Sequence, residues 1–201
     1  MVAGLVGSLT RSARCDGQGK AATRWDNRGF SPLPVEARVT SLTIEPIEET
    51  MWSGIQRVQS EVYLDVEPES TEILRSKWLH SPACCFAMRK GDEVLAYLLA
   101  HAWDSIHPPK LHQPLPAESQ GQGLFLHDIA VSRKLTGVGA GTQLVKQLLE
   151  TAGKLGYRHI RLVAVQGSSA FWKKLGFEAV PGLKASACYG SDATVMQQIL
   201  A

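Results

Sequence analysis

No apolar run in this chain approaches the roughly 20 residues needed to cross a bilayer, so the sequence offers no membrane span. Charge of one sign is equally scarce. Lys and Arg number 21 against 19 Asp and Glu, a net +2. That is too small to argue for nucleic acid or an anionic membrane surface as a partner. Cysteine is sparse, with only Cys15, Cys84, Cys85 and Cys188. None of their spacings suits a metal site, and adjacent Cys84 and Cys85 would point to opposite faces of a strand. The expectation is reduced structural thiols in a reducing, cytoplasmic compartment, with no metal. His101, His107 and His112 cluster around one irregular segment, without the spacing on a fixed element that a ligand set needs.

What remains is an ordinary globular composition, 44% apolar and 20% charged over 201 residues. This suits one domain of about 150 residues with something left over. The left-over part is residues 1–38, rich in Gly, Ser, Arg and Pro and without a sustained period. Such a composition cannot bury enough apolar surface to offset chain entropy. It is expected to be a disordered or non-native extension, with the folded domain over residues 39–201.

Within the domain, hydrophobic period orders the elements. Val39 to Ile47 alternates and reads as a strand. Glu48 to Tyr63 and Glu69 to Leu79 carry apolar residues at helical spacing, the second with Ile73, Leu74 and Trp78 on one stripe. Ala83 to Arg89 and Glu93 to Trp103 flank Lys90-Gly91-Asp92 and predict a hairpin. Asp104 to Gly123, with four prolines, is a long loop of the kind that is usually functional or disordered. Leu124 to Val131 is the central strand, followed by a helix over Gly139 to Leu155 and a strand over His159 to Val165. That order predicts a parallel crossover. A short helix from Ser168 to Leu175 and strands over Phe177 to Val180 and Ala193 to Leu200 complete a mixed sheet with helices on both faces.

The chemistry concentrates in Leu124 to Thr142, L-F-L-H-D-I-A-V-S-R-K-L-T-G-V-G-A-G-T. Three alternate glycines open a helix. They remove Cβ atoms where a ligand must approach backbone, and consecutive N–H groups at a helix N-terminus bind anions. No Gly-Lys-Ser/Thr follows, which excludes a nucleotide P-loop. The next strand carries no acid, which argues against a dinucleotide fingerprint. His127 and Asp128 are candidate bases, and strict period two would set them on opposite faces, leaving one to look into a cleft.

The stretch A-V-S-R-K-L-T-G-V-G-A-G resembles the acetyl-CoA signature of the GCN5-related N-acetyltransferase (GNAT) superfamily. F-W-K-K-L-G-F, Phe171 to Phe177, is similar to that family's second marker, F-Y-x-K-x-G-F. The resemblance covers about Val39 to Leu200. It implies a mostly antiparallel mixed sheet with helices on both faces and acetyl-CoA as cosubstrate, without metal. It also implies transfer of acetyl to a primary amine of a small molecule or peptide by direct attack, in a monomer or homodimer.

By the same resemblance, the pyrophosphate would lie on Thr136, Gly137, Val138, Gly139, Ala140, Gly141 and Thr142. Pantetheine would pair with Ile129, Ala130 and Val131, and the oxyanion would meet a backbone N–H near Val131. His127 falls where the aralkylamine acetyltransferases of the superfamily carry a base histidine, so His127 is the expected base, with Asp128 orienting its surroundings. Two positions depart from the pattern. The family's Arg or Gln falls on Thr136, and its tyrosine acid falls on Trp172, whose indole cannot serve as an acid. Trp172 would pack on pantetheine or in the core, and Tyr189 is the best substitute acid, with Tyr97 and Tyr157 behind it. These departures leave open a coenzyme-binding regulatory module with weak or lost catalysis.

Overall fold

The computed structural model describes residues 41–64, 67–116 and 121–200; the expected extension over 1–38 lies outside them. Seven strands form one sheet in the order β1-β2-β3-β4-β5-β7-β6. They are β1 Leu42–Pro46, β2 Phe86–Lys90, β3 Glu93–Ala102, β4 Gly123–Val131, β5 His159–Ala164, β6 Glu178–Lys184 and β7 Thr194–Ile199. The helices are α1 Trp52–Val62, α2 Thr71–His80, α3 Ala140–Lys154 and α4 Ser169–Lys174. Each expected element is present, with ends moved by a few residues, as fraying and capping allow. Ser70 caps α2 by accepting from the Ile73 N–H, which leaves Glu69 just outside the helix.

Every strand pair is antiparallel except β4 and β5. These two are parallel and joined by α3, the crossover that the sequence order demands. The sheet separates two cores. On one face, Leu144, Val145 and Leu148 of α3 and Trp172 of α4 pack on Leu98, Leu126 and Ile129. On the other, Ile55 and Val58 of α1 and Leu74 of α2 pack on Tyr97, Leu99, Phe125 and Ala130. Helix α3 stops where expected: Gly156 takes φ 79, and the Tyr157 N–H returns to the Ala152 carbonyl. Leu155, at the end of that helix, is exposed.

Two irregularities of β4 create the site. The β3–β4 ladder pairs Leu99 with Asp128 and Ala100 with Leu126, so the register skips His127, which forms a bulge. The β4–β5 ladder runs from Gly123–His159 to Phe125–Arg161 and stops. Beyond that point the carboxyl ends of the two parallel strands have no ladder between them, and an open α/β sheet takes its ligands at such a place.

Candidate active site

Strand β4 is buried on both faces along nearly its whole length. A histidine and an aspartate in its middle must therefore find polar partners or cost several kcal/mol each, about 2–7 for an unpaired polar group. The bulge decides where those partners are. With one extra residue at His127, the alternation slips, and both side chains turn toward α1 and α2. Their expected placement on opposite faces is thus corrected: strict period two holds only in an unbroken ladder.

Asp128 accepts hydrogen bonds from Tyr63, at the end of α1, and from Tyr97 on β3, the latter at 2.7 Å to Oδ2. Burial pushes its carboxyl above the usual carboxylate range, and the two phenols oppose that. His127 is fully buried, with its ring centroid 5.7 Å from that of His101 and 6.2 Å from that of Phe125. Its Nε2 lies 2.6 Å from Glu69 Oε2 and 2.8 Å from Lys77 Nζ. Lys77 in turn contacts both Glu69 oxygens, at 2.7 and 2.6 Å.

Burial would raise the Glu69 pKa, but opposing interactions, the hydrogen bond with His127 the largest of them, hold it well below the carboxylate range. An ionised carboxylate only accepts, so the proton of the short contact sits on His127 Nε2. Lys77 and His127 then both donate to Glu69 Oε2. Burial, reinforced by the Lys77 charge, holds the imidazole pKa well below its ordinary value against the pull of Glu69, so the ring is neutral.

Glu69, Lys77 and Tyr63 were not expected at the site; Tyr97, a reserve candidate for the acid, is instead bonded to Asp128. Lys77 left one signal: it follows Leu74 by three residues and so lies on the buried stripe of α2, where a lysine needs a partner. Tyr189, the expected acid, lies on the same side of the sheet, but its hydroxyl donates to the Pro109 carbonyl at 2.6 Å. Burial drives its pKa up, so its proton holds the 104–116 segment in place. Trp172 has no exposed surface and packs edge-on against Phe171 and Phe177. Of its two expected places the core is the observed one, and it presents no surface to a ligand.

At the carboxyl end of β4, the Ser132 N–H bonds to the Leu95 carbonyl on β3 at 2.8 Å. Antiparallel alternation then directs the backbone groups of Ala130 to Tyr97, and those of Ile129 and Val131 to the β5 side. Ala130 therefore drops out of the expected edge, while Ile129 and Val131 stay. Next comes the glycine turn. Gly137 and Gly139 adopt φ 80 and 72, and a Cβ on either would meet nothing within 4 Å. The glycines serve this left-handed backbone and leave open space above it.

Among the described residues, no acceptor is bonded to the N–H groups of Gly137, Gly139, Ala140, Gly141 and Thr142. Five such donors at the start of α3 fit a phosphate group. Thr136 differs, because its N–H and hydroxyl both donate to the Arg133 carbonyl, at 3.1 and 2.7 Å. It closes the turn. Val138 likewise bonds back, at 3.4 Å to Leu135. Nearby, Lys134 is paired with Glu93 at 2.5 Å.

No cluster of His, Cys, Asp or Glu among the described residues could hold a metal, and no helix among them is long and apolar enough to cross a membrane. No curated protein matches the chain by sequence. Solved structures match it in fold. The loading GNATL domain of CurA from Lyngbya majuscula superimposes with TM-score 0.67 at 12% identity, covering 80% of this chain and 98% of that one. The ribosomal-protein-S18-alanine N-acetyltransferase from Escherichia coli gives 0.58 at 16%, covering 80% and 95%. Arabidopsis thaliana Naa50, in complex with a bisubstrate analogue, CoA-Ac-MVNAL, gives 0.59 at 15%, covering 79% and 98%. Residues 52–177, running from the start of α1 to the residue before β6, match the profile of the Acetyltransferase (GNAT) family. With the parted parallel strands and the donor-lined glycine turn already in place, that match establishes the chain as a member of the GNAT acetyltransferase family.

Proposed function

We propose that this acetyltransferase moves the acetyl group of acetyl-CoA directly to a primary amine of a small molecule or peptide. One observation carries the reading: five unbonded N–H groups at the start of α3 adjoin the unpaired edge of β4 at Ile129 and Val131. A pyrophosphate suits the first, and an amide-bearing arm suits the second. The coenzyme supplies an activated thioester. The protein supplies the Val131 N–H as the oxyanion donor and His127 as the base that takes the amine proton. With its Nε2 proton donated to Glu69, the ring offers the Nδ1 lone pair. Asp128, held by two phenols, sets the neighbouring backbone.

Direct attack fits the thiols. Cys84 and Cys85 are buried, and burial pushes their pKa values up to about 11 and about 12, so neither supplies a nucleophilic thiolate. With the Tyr189 proton spent on Pro109 and an indole at Trp172, the departing thiolate takes its proton from water. The fold family and the thiols together suit a cytoplasmic protein, acting as monomer or homodimer.

The test is a broad amine and peptide panel with acetyl-CoA, read by mass spectrometry of the products and by release of free coenzyme thiol. Acetylated amine with stoichiometric thiol is the expected result. Coenzyme binding without thiol release over every acceptor would overturn it in favour of a binding module.

A further inference from the structure

Glu69 does more in this structure than partner one base. Its Oε2 meets His127 on β4, both oxygens meet Lys77 on α2, and Oε1 accepts the backbone N–H of His112 at 2.6 Å. His112 belongs to the segment between β3 and β4, more than forty residues away in the chain. One carboxylate, only 4% exposed, therefore ties together helix α2, the candidate base and the 104–116 segment.

The loop's own backbone shows that the tie is under tension. His112 is not a glycine, yet it sits at φ 58. A left-handed conformation is strained for an ordinary L-residue, and the side chain itself is exposed. What this conformation provides is the N–H aimed at Glu69, a charge-assisted bond of the stronger kind. A second pin lies three residues earlier, where Tyr189 donates to the Pro109 carbonyl. A third closes the base of the loop: Trp103 Nε1 donates to the His107 carbonyl at 2.8 Å. Between the first two pins stands Lys110, exposed, with Leu111 buried beside it.

We propose that Glu69 is a positioning residue that latches the 104–116 loop and the His127 imidazole to the same carboxylate. The ring is held in its Nε2–H tautomer only while the loop is closed over the acceptor side. This rests on the reading of His127 as the base and adds to it the element that controls it. An acceptor entering beneath the loop must leave the His112–Glu69 bond intact to meet a correctly presented Nδ1. Acceptors too large for the closed loop would break that bond and lose the base together with the fit, so Glu69 converts loop closure into acceptor selection.

Two measurements test this without any acceptor. Nitrogen NMR of the His127 imidazole, assigned by comparison with H127Q, reads the tautomer. Trypsin cleavage at Lys110–Leu111, followed by mass spectrometry of the new terminus, reads the latch. Two variants are needed because removing one member of a buried ion pair can unfold a protein. E69Q/K77M removes both charges together, and E69D keeps the charge balance while withdrawing the carboxylate by one methylene.

In the wild type, His127 is expected as the Nε2–H tautomer and Lys110 as slowly cleaved. In whichever variant retains the wild-type circular dichroism, the tautomer signal should become mixed. Cleavage should then accelerate by about tenfold or more, as expected when a local closing contact is lost. An unchanged tautomer, or an unchanged cleavage rate, overturns the latch. Neither readout depends on catalysis. Failure of the acetyl-transfer reading would instead show as an inactive wild type with both readouts as expected.

Discussion

His127 and Asp128 are neighbours in the chain and point to the same side of the sheet, because the β3–β4 register skips His127. The bulge brings an imidazole and a carboxylate side by side next to the end of β4, each with its own buried set of partners. Glu69 and Lys77 hold the first, and Tyr63 and Tyr97 hold the second. From this arrangement, the turn after it and the core beneath it, four expectations follow.

Replacing His127 by Ala should lower turnover by at least about tenfold, a floor set below the ~10²–10⁴-fold that general acid–base assistance contributes. Acetyl-CoA binding should survive, because the donor-lined turn lies elsewhere. Single-turnover kinetics with a separate coenzyme titration checks both, and unchanged turnover removes His127 from the base role.

At Gly139 the structure separates two effects. A Cβ there meets no atom within 4 Å but must accept φ 72. Gly139→Ala should therefore cost only the left-handed penalty, about 1–2 kcal/mol, in stability or affinity. Gly139→Glu adds a negative charge and bulk at the proposed pyrophosphate site and should abolish coenzyme binding. Calorimetry of the two variants decides; a normal dissociation constant for Gly139→Glu would refute the site.

Trp172 should behave as a core residue. Its truncation to Ala is expected to cost about 3–5 kcal/mol, as large aromatic deletions in cores do. Urea denaturation measures this. Stability unchanged with coenzyme affinity lost would return Trp172 to the ligand.

His101 predicts an acid sensitivity. Burial lowers its pKa to about 3 from 6.5, opposed chiefly by the contact with the Ala102 carbonyl and reinforced by Lys77 and His80. The unfolded chain takes up a proton near 6.5 that the native state refuses until about 3. Stability is therefore full above 6.5 and falls as the pH drops toward 3, by up to about 1.4 kcal/mol per pH unit. His127, also depressed, acts in the same direction. Phe in place of His101 keeps a ring against Trp103, Phe125 and His127 and should flatten the dependence. Denaturant midpoints between pH 4.5 and 7 test this, and an equal slope in the variant would show that His101 carries none of it.

The sequence alone determined what depends on near neighbours. Hydrophobic period marked every strand and helix from Leu42 to Ile199, because each period follows from backbone geometry. The glycines at 137 and 139 announced a turn with positive φ and room above it, since only glycine takes that conformation freely. The two short markers around Val131 and Phe177 announced the family. Tertiary structure alone decided which way the chemistry faces. A bulge depends on register against β3, so no local pattern could show that His127 and Asp128 share a face. Whether Tyr189, Thr136 and Ala130 keep free donors depends on carbonyls and strands supplied by other segments. The Glu69–Lys77–His127 cluster joins residues up to 58 positions apart. Its members became partners because the fold removed water from all three, and buried charges must then satisfy one another.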